Sequence, residues 1–159
     1  MALKSIIVKS YTKVQEEYTA TAVAITPGML LEMASATTVQ AHSGASGNVL
    51  PMFAFEDELQ GKTIDDAYAV SVKVQVLIPR TGDQVQGILA DGQNIAAGDF
   101  LESDGTGMLQ KHAADSALVV EAAHPLVGVA LEAIDISDSS AAESSGALGY
   151  DKRIKLRII

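Results

Sequence analysis

Ile25-Thr26-Pro27-Gly28-Met29-Leu30-Leu31-Glu32 returns seventy residues later as Ile95-Ala96-Ala97-Gly98-Asp99-Phe100-Leu101-Glu102. The same offset places Val39-Gln40-Ala41-His42 on Leu109-Gln110-Lys111-His112. After an insertion of four residues, Pro51-Met52-Phe53-Ala54-Phe55 aligns with Pro125-Leu126-Val127-Gly128-Val129, and the stretch from Tyr68 to Val74 with that from Tyr150 to Leu156. An ordered self-match over most of a chain fixes the architecture before any single element is read. Two units are too few to stack as a solenoid. The expectation is an N-terminal arm, 1–20, followed by one β domain, 21–159, whose repeats cover about 23–78 and 93–159. What repeats is a framework of turns and apolar positions without a reactive constellation, which leans toward a structural protein.

Strand signals dominate outward from the repeat. Val70-Ser71-Val72-Lys73-Val74-Gln75-Val76 alternates apolar and polar residues, as does Ile154-Lys155-Leu156-Arg157-Ile158. A period of two puts one set on each face of a sheet. Ser5-Ile6-Ile7-Val8-Lys9 is a short β-branched run lying outside the repeat, so symmetry gives it no internal partner. Pro27-Gly28, Ser46-Gly47-Asn48, Asp91-Gly92 and Asp104-Gly105-Thr106-Gly107 punctuate the strands at short intervals. The fold class that follows is all-β, a barrel or a sandwich-like domain built from two pseudo-symmetric repeats. Helix signals are weak: one short turn fits 58–67, 113–123 is Ala-rich without amphipathic spacing, and 136–147 reads as a solvated loop.

At 159 residues the chain holds an ordinary core, and 48% apolar against 4% aromatic content makes that core Val, Ile, Leu and Ala. No Cys is present, which excludes disulfides and thiolate metal sites. Neither a membrane-spanning run nor a basic-then-apolar leader is visible, so a soluble protein made in the cytoplasm is expected. Net charge is −9, unevenly spread. Residues 1–14 carry Lys4, Lys9 and Lys13 without an acid, and 151–159 carry Lys152, Arg153, Lys155 and Arg157 against Asp151. The interior is left with −15. An acidic body argues against wrapping nucleic acid, which needs a broad basic face. Basic ends either block edge pairing or dock on an acidic neighbour. Candidate subunit or partner contacts are therefore Lys4, Ile6, Ile7, Val8 and Lys9 at one end and Lys152, Arg153, Lys155 and Arg157 at the other.

Several patterns that could carry chemistry do not. Gly61-Lys62-Thr63 matches the end of a phosphate-binding loop, but Glu56 stands where the loop's first glycine must be. Ser10-Tyr11-Thr12-Lys13 has the Ser-x-x-Lys spacing of acyl-transferases without a helix or companion motifs. His42 and His112 occupy equivalent positions, yet with His124 they show no metal-ligand spacing, and each is expected to close a strand and face solvent. Asp99 to Gly105 has acids at intervals like a calcium loop, but the residues between them are apolar strand residues. Asp65-Asp66 and Glu56-Asp57-Glu58 read as solvated acids rather than an acid–base pair. The expectation is no enzyme and no cofactor.

The second repeat reads Ile95-x-x-Gly98-Asp99-Phe100-Leu101, then Gly105-x-Gly107-Met108-Leu109, then Leu126-Val127-Gly128-Val129-Ala130-Leu131-Glu132. This resembles a pattern in the small cement, or head-decoration, proteins of tailed bacteriophages. It is also similar to the antifreeze-like β-clip domains found beside some sugar-handling enzymes. The first repeat departs from it, with Met29 in place of the Asp and Ala54 in place of the glycine. The short, Cys-free, acidic chain favours the phage family. That resemblance implies a β-tulip-like fold on the virion's capsid surface, bound to major capsid protein and clamping neighbouring capsomers as a homo-oligomer, a trimer or else a dimer. The alternatives are a carbohydrate-binding β-clip module, or another viral structural protein such as a head-fibre base or tail subunit.

Overall fold

The computed structural model describes residues 6–9, 15–21, 23–113, 126–137 and 153–159. Its strands are β1 (Ile7–Lys9), β2 (Gln15–Ala20), β3 (Leu31–Ser35), β4 (Thr38–Ala41), β5 (Phe53–Ala54), β6 (Lys73–Leu77) and β7 (Gln84–Ile88). They continue with β8 (Asn94–Ile95), β9 (Phe100–Ser103), β10 (Leu109–Lys111), β11 (Gly128–Ala130), β12 (Ile134–Asp135) and β13 (Arg153–Ile158). Among the described residues the one helical element is a 3-10 turn at Glu58–Gln60, and no helix is long and apolar enough to cross a membrane. The fold is all-β.

A five-stranded sheet runs β3-β4-β2-β6-β5, a six-stranded sheet β1-β7-β13-β11-β9-β10, and β12 and β8 form a ribbon. The sheets are not closed into a barrel. Among the described residues, isolated bridges bring the ends of each sheet near one another, Leu30 to Phe53 in the five-stranded sheet and Leu89 to Leu109 in the six-stranded one. Alternation places the core. In β13, Ile154, Leu156 and Ile158 are buried, and in β6, Val74 and Val76 are. The expected strand over 70–76 starts only at Lys73, because Ser71 takes a positive φ of 67° and turns the chain, leaving Val70 and Val72 exposed. One apolar cluster lies within the first sheet, around Ile25, Leu31, Val39, Met52 and Val74. A larger one joins Leu30, Phe53 and Leu77 to Val85, Leu101, Leu109, Ile154 and Leu156 of the second sheet, so the sheets share buried surface.

The seventy-residue offset has a local counterpart in hydrogen bonds. Leu31 pairs with Ala41 and Glu32 with Gln40, while Leu101 pairs with Lys111 and Glu102 with Gln110. Gly28 and Gly98 both sit at a positive φ, 95° and 94°, a conformation that costs glycine nothing. Each donates its N–H at 2.8 Å, to Ala54 O and Ala130 O. The register then slips by two. Leu30 bridges Phe53, but Phe100 pairs with Val129 rather than Val127. The two pairs also differ in burial, Leu30 and Phe53 lying in the core while Phe100 faces water.

The N-terminal run does have an internal partner, which corrects the reading from symmetry. β1 pairs with β7, and β2 pairs with both β6 and β4 in the middle of its sheet. Ile6 is fully buried and its N–H reaches both carboxylate oxygens of Glu56 at 3.2–3.3 Å. Long-range pairing of this kind leaves no trace in a repeat alignment.

Candidate interaction surface

β13 carries the basic residues singled out from the sequence, and the structure separates them. Arg153 is only 5% exposed. Its Nη2 donates to the carbonyls of Pro27 and Ile64, and its Nη1 pairs with Asp65 at 3.1 Å. The side chain thus ties the second sheet to two turns of the first half of the chain. Arg153 is a buried strut and not a partner contact, and Ile6 is likewise core. Lys155 is half-buried and Arg157 exposed, neither with an ion pair among the described residues. Lys4 and Lys152 lie outside the described residues. Ile7, Val8 and Lys9 form the edge strand of the six-stranded sheet.

Arg157 stands in a cross-strand row that the sequence did not reveal. Gln84 pairs with Arg157, Arg157 with Val129, and Val129 with Phe100. Residues directly opposite share a face and interact. Phe100 ends the row with 47% of its surface in water, the one exposed aromatic among the large exposed apolar residues of the described structure. Its outward direction follows from the burial of Leu101 beside it, yet from sequence it reads as an ordinary strand residue. Lys111, on the neighbouring strand, is engaged by Asp99 at 2.6 Å, which with the Ala96 N–H holds the Asp99 carboxyl below its ordinary range.

The histidines are structural, contrary to the expected solvent-facing role. His42 is 2% exposed, its Nδ1 within 2.8 Å of Ser103 Oγ and its Nε2 within 3.2 Å of Asn48 O. It joins the turn after β4 to β9. His112 lies 2.6 Å from Glu102, whose carboxylate also accepts from Ser46 and Gln110. Burial raises the Glu102 pKa, but the hydrogen bonds from His112, Ser46 and Gln110 outweigh it and hold the carboxyl below its usual value. His124 lies outside the described residues. Among the described residues no three His, Asp or Glu side chains converge as a metal site.

Two of the acids expected in solvent are buried. Glu56 is held by the Ile6 amide, and Asp57 lies at the base of the 3-10 turn, where its carbonyl accepts from Gln60 and Lys62. Beyond the turn, Asp66 closes a loop by accepting from Thr63 N and Oγ1 at 2.8 Å. Beside it opens a cleft of about 220 Å³, its apolar lining Ala67, Ala69 and Val72 beside Tyr68 and its charges balanced between Asp57 and Asp66 and the lysines at 62 and 73. Tyr68 donates to Phe55 O, and burial, with Asp57, Glu56 and Glu17 nearby, pushes its hydroxyl up to about 12. Leu59, on the turn, is fully exposed.

No protein-family model and no curated protein matches the chain. Among solved structures it is similar to the N base of head fiber gp8.5 in bacteriophage phi29, with 17% sequence identity and a TM-score of 0.51. The likeness covers 93% of this chain and 95% of that one. At that identity what is shared is the fold.

Proposed function

We propose that this chain is a structural protein of a phage particle, seated on the outside of the head as the base of a surface projection. The observation that carries the reading is the fold likeness to a head-fibre base, which takes in nearly the whole of both chains rather than a shared motif. The motif resemblance around Gly98, Gly105 and Gly128 supports the same location independently, since head-decoration proteins also sit on the outer shell. A seat of this kind needs a rigid body and a face left for partners. The shared core, with Arg153 and His42 as ties between distant turns, supplies rigidity. The Gln84–Arg157–Val129–Phe100 row supplies the face.

The finer form of the proposal is attachment to major capsid protein as a homo-oligomer, with many modest contacts adding through avidity. Clamping of neighbouring capsomers is a stronger role, and the fold likeness favours a seat over a clamp. The test is to purify particles of the phage that encodes the chain, identify their proteins by mass spectrometry, and locate this one with gold-labelled antibody. The expected result is label on the head exterior. Absence from purified particles, or label confined to the tail, refutes the proposal. Particles lacking the protein that lose DNA on mild heating would favour the clamp over the seat.

A further inference from the structure

We propose that His42 is a protonation switch: uncharged, it pins the turn 43–48 to β9 through Ser103, and charged, it pairs with Glu32 instead and lets that turn go. The inference concerns the conformation of the chain and does not rest on the phage reading.

Hydrogen-bond accounting fixes the uncharged state. His42 is 2% and Ser103 1% exposed, so both must find their partners inside the protein. Asn48 O, 3.2 Å from Nε2, can only accept, and therefore Nε2 carries the ring proton. Nδ1 is left as an acceptor. Ser103 Oγ donates to it at 2.8 Å while accepting from the Gly105 N–H at 3.1 Å. Donor and acceptor alternate along this relay without a mismatch. Ser46 fastens the same turn to β9, its N–H donating to Ser103 O at 2.9 Å and its hydroxyl to Glu102.

A second proton on the ring reverses one link. Nδ1 becomes a donor, and Ser103 can accept from it only by turning its own proton out of the contact, in a dry site. The charge has another partner within reach. Glu32 Oε2 lies 3.9 Å from Nε2, and the hydrogen bonds from Gln40 and Ser43 both fall on Oε1, which leaves Oε2 facing the ring. Burial raises the Glu32 pKa, but the bonds from Ser43 and Gln40 and the nearby imidazole outweigh it and hold the carboxyl below its ordinary range. It is therefore ionised where an imidazole charges. The other titratable groups around His42 are already held. Glu102, beside Ser103, is engaged by His112, Ser46 and Gln110, and Asp104 accepts from Thr106 and Met108. Residues 43–48 carry no titratable side chain. Charging thus moves the His42 contact from between two hairpins to within one, a two-state element that a proton biases.

Nuclear magnetic resonance of the full-length chain, with its histidines nitrogen-labelled, tests this. At about pH 8 the His42 ring should carry its proton on Nε2. As the pH is lowered to about 5, hydrogen-exchange protection of the Ser46 amide should fall by about tenfold, the weight of a lost hydrogen bond. His42→Gln keeps one donor and one acceptor without a titrating ring and should hold that protection flat. His112→Gln should keep the wild-type fall. Glu32→Gln takes away the partner of the charged ring and should move the fall to lower pH. If His42→Gln fails to fold, the wild-type and Glu32→Gln profiles decide. A ring proton on Nδ1 before acidification, or wild-type protection that does not change with pH, would overturn the proposal. So would a fall that survives His42→Gln, one that disappears in His112→Gln, or a Glu32→Gln profile identical to wild type. Each of these results leaves the proposed function standing.

Discussion

Replacing Arg153 by Met keeps an unbranched side chain in the same slot and removes all three guanidinium contacts. The Asp65 partner is 52% exposed and returns to water, so its loss contributes at most about 1 kcal/mol. The carbonyls of Pro27 and Ile64 decide the outcome, since each loses a charged donor in a dry site, at about 1–3 kcal/mol apiece. Part of that cost is offset because the guanidinium itself no longer has to be desolvated, and its Nε has no hydrogen-bond partner among the described residues. The net expectation is a loss of about 2–4 kcal/mol, or roughly 5–15 °C in Tm for a chain of this length. Urea denaturation followed by circular dichroism measures it. Asp65→Ala is the control and should cost less than about 1 kcal/mol. A fully stable Arg153→Met variant, or an Asp65→Ala variant that is equally damaged, would refute the view that Arg153 is a carbonyl-binding strut.

Gly128→Ala puts a Cβ 2.5 Å from Arg157 O and 2.9 Å from Leu156 Cδ1, so β11 must move off β13, and thermal melts should show a loss of about 1–3 kcal/mol. Ser71→Gly relieves the positive φ at the start of β6 and should gain about 0.5 kcal/mol after the glycine entropy cost, read from the urea midpoint. Glu102 is held below its ordinary pKa in the folded state, so its contribution is present above the unfolded value, near 4.5, and disappears as pH falls through the folded value. The stability gap between wild type and Glu102→Gln should therefore be open at neutral pH and close below 4.5; a gap that stays constant down to about pH 3 would contradict the hydrogen-bonded carboxylate.

What the sequence made legible was local or periodic. The alternation of Ile154, Leu156 and Ile158 identified the buried face of β13, and the repeat aligned Glu32 and Gln40 with Glu102 and Gln110, which the structure pairs in two hairpins of the same register. The errors share one physical cause. Arg153, Lys155 and Arg157 do alternate onto one face, as their spacing requires, but that face is covered at one end only. The covering carbonyls of Pro27 and Ile64 are 126 and 89 residues away in the chain, beyond the reach of any pattern. His42 is likewise buried by Ser103, and Glu56 by Ile6, at separations of 61 and 50 residues. Burial of a polar residue depends on which distant segment lands on it, and a single sequence does not carry that information. Phe100 fails in the opposite sense, being apolar yet left uncovered.

The same distant contacts explain how two similar hairpins come to differ. Glu32 and Glu102 each accept from a glutamine on the paired strand and lie near a histidine two residues beyond it. Glu32 stays half-buried, where Ser43, just past the end of β4, completes its hydrogen bonds. Glu102 is buried because the turn after β4 leans onto β9, bringing Ser46 to its carboxylate and His42 to Ser103. Ser46 takes a positive φ of 50° to do so, a conformation that costs a non-glycine residue and persists only where several contacts fix it. The first hairpin is thus spent on bracing the second. With one end of the six-stranded sheet covered by the Arg153 strut and another held by the Glu102 cluster, the stretch between them keeps Phe100, Val129 and Arg157 in a fixed row. Backing on either side holds the exposed aromatic out from the sheet rather than letting it fold back onto its own strands.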